Sequence, residues 1–288
     1  MRQFISVILL FFSCVVMNAQ EKRALLIGIG DYPTEYGWNK IHGQNDVNII
    51  RKTLIKQGFQ ADSITELVDS DATYDNIISA FQSLLESSNK NDVVYLQFSG
   101  HGQRITDADG DETDRFDEAW IPYDAHKTYC KAVYEGEKHI TDDYLNEYLT
   151  KLRFKVGYGG KIIVIADACH SGSGSRGLGD DGEVFKRGFA ETFVIPKETA
   201  NVIRKEKPVD WLFVGACKSY QTNYEYKDEH GEYYGSLSYC ISKSVEQLTD
   251  IKYADAVEIW GKTMRMITVY PQDIDDDGRP SKKNSNLF

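Results

Sequence analysis

Two stretches of this 288-residue sequence carry side chains able to do covalent chemistry. "KIIVIADACHSGSGSRG" (Lys161 to Gly177) runs from a continuous apolar segment into an acid, a thiol and an imidazole: Asp167, Cys169 and His170. "DVVYLQFSGHG" (Asp92 to Gly102) has the same form and ends in His101 between two glycines. Short apolar runs of this kind are strands covered on both faces, and sheets built from them bind ligands just beyond their carboxyl ends. A lone cysteine is most often a small core hydrophobe. A thiol that meets an imidazole is a nucleophile, because the imidazolium stabilises the thiolate and later protonates a leaving amine. His101 and Cys169 stand 68 positions apart (169 − 101), and a shared sheet edge would join them. Glycine on both sides of His101 leaves room for a substrate backbone. The N–H groups of Gly102 and Cys169 are candidates for an oxyanion hole, where each donor contributes roughly 3 kcal/mol.

The rest of the chain supplies the elements that must position this pair. "RALLIGIGDY" (Arg23 to Tyr32) is a buried-type strand, and "NDVNIIRKTLIKQGF" (Asn45 to Phe59) carries Val47, Ile50, Leu54 and Ile55 at helical spacing. Asn45 or Asp46 is the expected cap of that helix and Gly58 its stop. "TYDNIISAFQSLLESSN" is a second amphipathic helix, "EAWIPYDA" is short and extended, and "TDDYLNEYLTKLRF" is a helix capped at Thr141 or Asp142. After Cys169 come a polar loop from Ser171 to about Lys207, the strand "DWLFVGAC", and helices near Leu237 to Leu248 and Ala254 to Tyr270. Strands alternating with helices predict an α/β fold with a mainly parallel central sheet and helices on both faces. With no internal repeat and no dividing linker, residues 20–288 read as one domain.

Composition and termini narrow the function. A net charge of −11 argues against nucleic acid and anionic membranes as main partners. "MRQFISVILLFFSCVVMNAQ" combines Arg2, an apolar stretch from Phe4 to Met17 and Ala19, the pattern of a Sec signal peptide over residues 1–19. The stretch is short for a membrane span, and no other segment is a candidate. Export to the periplasm or beyond follows as an expectation. Cys130, Cys169, Cys217 and Cys240 remain in the mature chain, too few for a disulfide scaffold and without zinc spacing. At most one structural pair is expected, with a reactive thiol left free.

Taken in order, "RALLIGIGDY", "IHGQNDV", "FSGHG", "DGDETDRFDEAWIPYD", "HITDD", "DACHSGSGSRG" and "GACKSYQTNYEY…GSLSY" resemble the caspase-like cysteine peptidases, most closely the metacaspases. The resemblance spans Lys22 to about Gln272. It implies the caspase-hemoglobinase fold, a catalytic dyad of His101 and Cys169, and peptide or protein substrates; His170 is set aside as the base. Caspases carry Gln two residues before the nucleophile, where this chain has Asp167. Metacaspases use that acid with one matching Asp46 to hold Arg or Lys. Paired carboxylates attract a cation and penalise an anion, so physics agrees. Ser99 matches a further pocket position and is equally an ordinary turn serine. Asp46 has the alternative role of helix cap. Two rivals stay open: another caspase-fold peptidase group, such as paracaspases or the clostripain–gingipain type, and a catalytically silent caspase-fold binding or regulatory module.

Acid clusters raise the question of calcium. "DADGDETDRFDE" (Asp107 to Glu118) has oxygen ligands at calcium-loop spacing but Glu112 where such a loop needs glycine. "DIDDDG" (Asp273 to Gly278) opens such a loop better, with Asn284 in place of the bidentate acid. The metacaspase resemblance implies a different Ca²⁺ site formed by Asp117, Asp142 and Asp143; a fourth family ligand, in the loop after the cysteine, has no clear match here, and Asp180 or Asp181 could serve. A helix cap and a solvated loop are the plainer alternatives. The polar loop offers "FKR" (Phe185 to Arg187) and "IRKEK" (Ile203 to Lys207) as self-cleavage sites. A monomer is expected.

Overall fold

The first apolar run forms β1 (Lys22–Gly28), the helix after it α1 (Gly43–Lys56), and a strand not foreseen from the sequence, β2 (Ile64–Val68), follows. Then come α2 (Tyr74–Ser87), β3 (Val93–Ser99), β4 (Gly102–Thr106), β5 (Phe116–Trp120), β6 (Ile140–Thr141), α3 (Asp142–Val156) and β7 (Lys161–Asp167). The chain continues with β8 (Leu212–Gly215), β9 (Glu225–Lys227), β10 (Tyr233–Gly235), α4 (Ser236–Val245), α5 (Tyr253–Ile267) and β11 (Asp275–Asp276). This computed structural model describes residues 20–110, 112, 114–169, 184–189, 191–196, 210–245, 251–268, 270, 272–276 and 284–288. The expected signal peptide, Asp180, Asp181 and the Ile203–Lys207 stretch lie outside the described residues.

Six strands form the main sheet in the order β11-β8-β7-β3-β1-β2, all parallel except the edge strand β11. The α/β architecture with a mainly parallel sheet is the expected one. Alternation across the pleat explains why the strands read as unbroken apolar runs. Leu25, Ile27, Leu96, Phe98, Ile162 and Val164 face one core, shared with Ile77 and Phe81 of α2 and Leu149 and Leu152 of α3. Their neighbours Ala24, Leu26, Tyr95, Ile163 and Ile165 face a second core, shared with α1, α4 and α5. Each large side chain buried this way contributes about 1.5–3 kcal/mol, so both sheet faces are held firmly. Among the described residues no helix is long and apolar enough to cross a membrane.

One local expectation is corrected. Helix α1 starts at Gly43 with His42 at its N-cap, so neither Asn45 nor Asp46 is the cap. Gly43 permits the early start, because a Cβ there would lie 2.2 Å from the carbonyl oxygen of Ser99. Asp46 therefore falls in the first turn, fully buried, with its carboxylate free for other partners. At α3, Thr141 is the cap and accepts from the Tyr144 N–H.

Candidate active site

Strands β3 and β7 are neighbours in register, with Ser99 opposite Asp167. His101 and Cys169 each lie two residues beyond that matched pair, which brings both to one edge of the sheet. His101 is fully buried: its ring stacks on Trp38 (centroids 5.0 Å apart) and tilts against Tyr32 (4.8 Å). Its Nε2 lies 2.8 Å from the Asn39 carbonyl oxygen. A carbonyl only accepts, so Nε2 carries the proton and the neutral ring presents a lone pair at Nδ1. Nδ1 is buried and has no hydrogen-bond partner among the described residues. Burial lowers the imidazole pKa to about 4, although the Asn39 bond opposes the shift. The ring is thus a neutral base at ordinary pH.

Gly100 and Gly102 do different work. A Cβ on Gly100 would meet the Tyr32 hydroxyl at 2.7 Å and the Phe98 ring, so this glycine admits neighbouring side chains rather than substrate. Gly102 faces Gly188 in a parallel bridge. Its N–H donates to the carbonyl oxygen of Arg187 at 3.1 Å, and the Cys169 N–H donates to the same oxygen at 3.0 Å. Both oxyanion-hole donors therefore converge on one peptide group, that between Arg187 and Gly188. The segment before it is held as an added antiparallel strand, since Arg187 N–H donates to Asn223 O (3.1 Å) and Glu225 N–H to Phe185 O (3.1 Å).

The side chain of Arg187 completes the picture. It is fully buried, and its guanidinium lies among three acids. Nη1 donates to Asp46 Oδ2 at 2.5 Å and lies 3.5 Å from Asp167 Oδ1; Nε donates to Glu225 Oε1 at 3.0 Å. Burial pushes the Asp46 carboxyl up to about 6, against the pull of Arg187 and with the repulsion of Asp167. Burial also raises Glu225, but Arg187 and then His42 outweigh it and hold that carboxyl below the usual range. Asp167 is fixed by Asn223 Nδ2 (2.8 Å) and by the Ser238 N–H and hydroxyl (2.8 and 2.7 Å). Gly235 forms the pocket wall: its N–H donates to Asp46 Oδ1, and a Cβ there would lie 2.2 Å from Asp167 Oδ2. Ser99 does not take this place against the guanidinium. Its hydroxyl accepts from Gln97 and faces Ser238, one hydrogen bond behind Asp167.

Nothing in the periodicity of the sequence points Glu225, His42, Gly235 or Arg187 to the pocket. Glu225 and Gly235 lie inside "QTNYEY…GSLSY", a stretch whose resemblance to metacaspases does not separate its individual residues. The one signal for Arg187 was its basic run in the polar loop.

Four cysteines of the described chain, Cys130, Cys169, Cys217 and Cys240, are free thiols. The single structural pair allowed for by the count is therefore not formed among them. Cys169 Sγ donates to the Gln221 carbonyl oxygen at 2.9 Å, and Cys217 Sγ lies 3.6 Å from the same oxygen. Hydrogen bonding to Cys169, and then burial, hold the Cys217 thiol well above its ordinary pKa.

The acids expected to hold calcium stand apart from the Arg187 pocket. Asp117 is buried on β5, and its Oδ1 has no hydrogen-bond partner among the described residues. Burial first, then the charges of Asp142, Asp143 and Asp107, push its pKa up to about 7. Asp142 accepts from the Glu118 N–H, and Asp107 folds its loop by accepting from the N–H groups of Asp109 and Gly110. Among the described residues no three ligating side chains converge as around a bound ion. In charge, a buried carboxylate with one unpartnered oxygen, pressed by three acids, suits a cation; in position, the described ligands do not converge.

Residues 22–175, more than half of the chain, match the metacaspase peptidase C14 domain. Metacaspase-1 of Candida albicans is 27% identical over 288 aligned residues, covering 83% of this chain and 61% of the relative. Metacaspase-7 of Arabidopsis thaliana is 35% identical over 161 residues (52% of this chain, 35% of the relative). Metacaspase III c of Phaeodactylum tricornutum is 34% identical over 159 residues (53% and 43%). The chain thus spans between about a third and three fifths of the length of these relatives. A crystal structure of a Geobacter sulfurreducens protein superposes with a TM-score of 0.63 at 20% identity, covering 93% of this chain and 98% of that one, a likeness of fold.

Proposed function

The chain belongs to the metacaspase family of C14 peptidases, and we propose that it is a cysteine endopeptidase that cleaves after arginine or lysine and splits its own chain between Arg187 and Gly188. One observation carries this reading. The Arg187 carbonyl oxygen accepts from two N–H groups, one of them that of Cys169, while its guanidinium fills a pocket of three acids. A peptide held in this way has its carbonyl polarised and its side chain neutralised before any bond changes.

The chemistry follows from the same contacts. Cys169 Sγ exchanges its bond to Gln221 for attack on the Arg187 carbonyl carbon, and its proton passes to His101 Nδ1. The carbonyl oxygen takes up the negative charge facing the N–H groups of Gly102 and Cys169. As the tetrahedral species collapses, the bond to Gly188 nitrogen breaks and the imidazolium proton goes to that amine. Water, activated by the now neutral His101, hydrolyses the thioester and restores the thiol. Cleaved segments leave, and the pocket becomes available to arginyl or lysyl residues of other proteins. An aspartyl residue would meet three like charges there.

Export through a signal peptide over residues 1–19 is supported by the order of Arg2, the apolar stretch and Ala19. Calcium control is supported by the orphaned oxygen of Asp117 beside Asp142 and Asp143; Ca²⁺ held by these three would cancel their repulsion. If so, the peptidase rate rises with free Ca²⁺ after exhaustive chelation, and a flat curve removes the ion from the account.

The test of the main reading is the intact mass of protein incubated after purification, with and without Ca²⁺. Wild type should yield two fragments that meet between Arg187 and Gly188, and Cys169→Ala should stay whole. Fragments meeting anywhere else, or a split Cys169→Ala chain, would contradict it.

A further inference from the structure

We infer that the site reads aromatic side chains on both sides of the scissile bond, so that its preferred substrates have the form aromatic–X–Arg–Gly–aromatic. The inference rests on the reading of Arg187–Gly188 as a bound substrate segment and extends it to the neighbouring positions. Phe185, two residues before Arg187, has its ring edge-on to His42 (4.6 Å, 90°) and to Tyr233 (4.8 Å, 73°). His42 and Tyr233 themselves stack at 4.9 Å and 17°, which makes a preformed two-ring wall. His42 also bonds Glu225 through Nδ1 at 2.6 Å, so this wall is continuous with the arginine pocket. An extended peptide alternates its side chains, and positions 185 and 187 therefore share a side.

Beyond the bond, Phe189 lies edge-on to Trp38 (5.5 Å, 70°) and beside His101 (5.5 Å). Lys127 Nζ sits 3.4 Å from the Phe189 ring centroid, a close cation–π contact by a side chain only 15% exposed. Trp38, His101 and Phe189 pack in mutual contact, with centroids 5.0 to 5.5 Å apart, so the subsite adjoins the imidazole that serves the leaving amine. Between them Gly188 has no room for a side chain: a Cβ would lie 2.2 Å from the Cys169 carbonyl oxygen, which is backbone. The residue after the scissile bond is therefore glycine in the preferred substrate. Lys186 contributes less, its ammonium 5.6 Å from the Tyr224 ring, and its place is the X.

The experiment uses internally quenched peptides built on Phe-Lys-Arg-Gly-Phe and the self-processed wild-type protein. Replacing either phenylalanine by alanine should lower kcat/KM about tenfold, since aromatic contacts and burial are lost together. Replacing glycine by alanine should lower it at least as much. In Tyr233→Ala the penalty for losing the first phenylalanine should shrink while that for the second persists, and in Lys127→Ala the reverse should hold. These are ratios between peptides on one enzyme preparation, so partial misfolding of a variant cancels. Equal rates for all arginyl peptides would overturn the inference and leave the basic pocket standing. No cleavage of any arginyl peptide, with a different residue accepted instead, would overturn the pocket reading itself.

Discussion

Arg187→Ala is the substitution that separates the buried segment from the pocket it fills. The guanidinium has no exposed surface and faces Asp46, Asp167 and Glu225, all buried as well. Removing one partner of a buried ion pair leaves uncompensated charge and costs about 3–5 kcal/mol. Three carboxylates would be left, but the loss has a ceiling. Once the segment withdraws, water reaches the acids, so the cost cannot exceed the free energy that holds the segment in place. At roughly 2–4 °C per kcal/mol for a domain of 150–250 residues, melting should fall by about 6–20 °C. The comparison is between Cys169→Ala and the Cys169→Ala, Arg187→Ala double variant, in which no cleavage confuses the melt. Arg187→Lys should recover part of the loss by restoring the charge without the fork. In the single Arg187→Ala variant, an arginyl electrophile should label Cys169 on the unsplit chain faster than in wild type. Melting within 1 °C of the reference together with unchanged labelling would refute the claim that this arginine blocks the pocket.

Two other outcomes follow from the same contacts. Gly235→Ala should abolish cleavage of arginyl peptides while the fold persists, because its Cβ would lie 2.2 Å from Asp167 Oδ2 and 2.5 Å from Arg187 Nη1; undiminished kcat/KM would move the pocket elsewhere. The His101 imidazole should titrate near pH 4 in unsplit Cys169→Ala, followed by NMR of the ring, and nearer 6.5 in self-split wild type, from which the segment has left. Its folded pKa lies below the ordinary value, so the unfolded chain binds more protons between the two, and this group's contribution to stability falls as pH drops from 6.5 to 4. Titration near 6.5 in the unsplit chain would mean that the ring is solvated.

Much of the site was readable because strands β3 and β7 announce themselves. Each is an apolar run with a polar stop, and a parallel register then carries His101 and Cys169 to one edge. Asp46 and Asp167 were readable as one pocket only through their motifs, since nothing in helical or strand periodicity pairs residues so far apart. Ser99 was drawn into the same pocket by its motif, yet its hydroxyl is taken by Gln97 and Ser238. An acid in "QTNYEYKDEH" reads as solvated surface, whereas the burial of the Glu225 side chain depends on β9 pairing with β10 beside α1. The seat of Phe185 to Phe189 escaped for a related reason. A polar loop has no periodicity that tells which surface it will cover, and β-pairing to Tyr224 and Gly102 is settled by backbone groups that every residue shares. The strand β2, with its exposed Thr65 and Glu66, lacked the unbroken apolar run of the central strands.

The central claim is that Cys169 cleaves peptide bonds after a basic residue held by Asp46, Asp167 and Glu225. Its most direct measurement is the rate on matched peptides ending in Arg or Asp before a fluorescent leaving group, taken with wild type and Cys169→Ala in the presence of Ca²⁺. Wild type should turn over the arginyl peptide orders of magnitude faster than the aspartyl one, and Cys169→Ala should turn over neither. Comparable rates on both peptides, or activity that survives Cys169→Ala, would contradict the account.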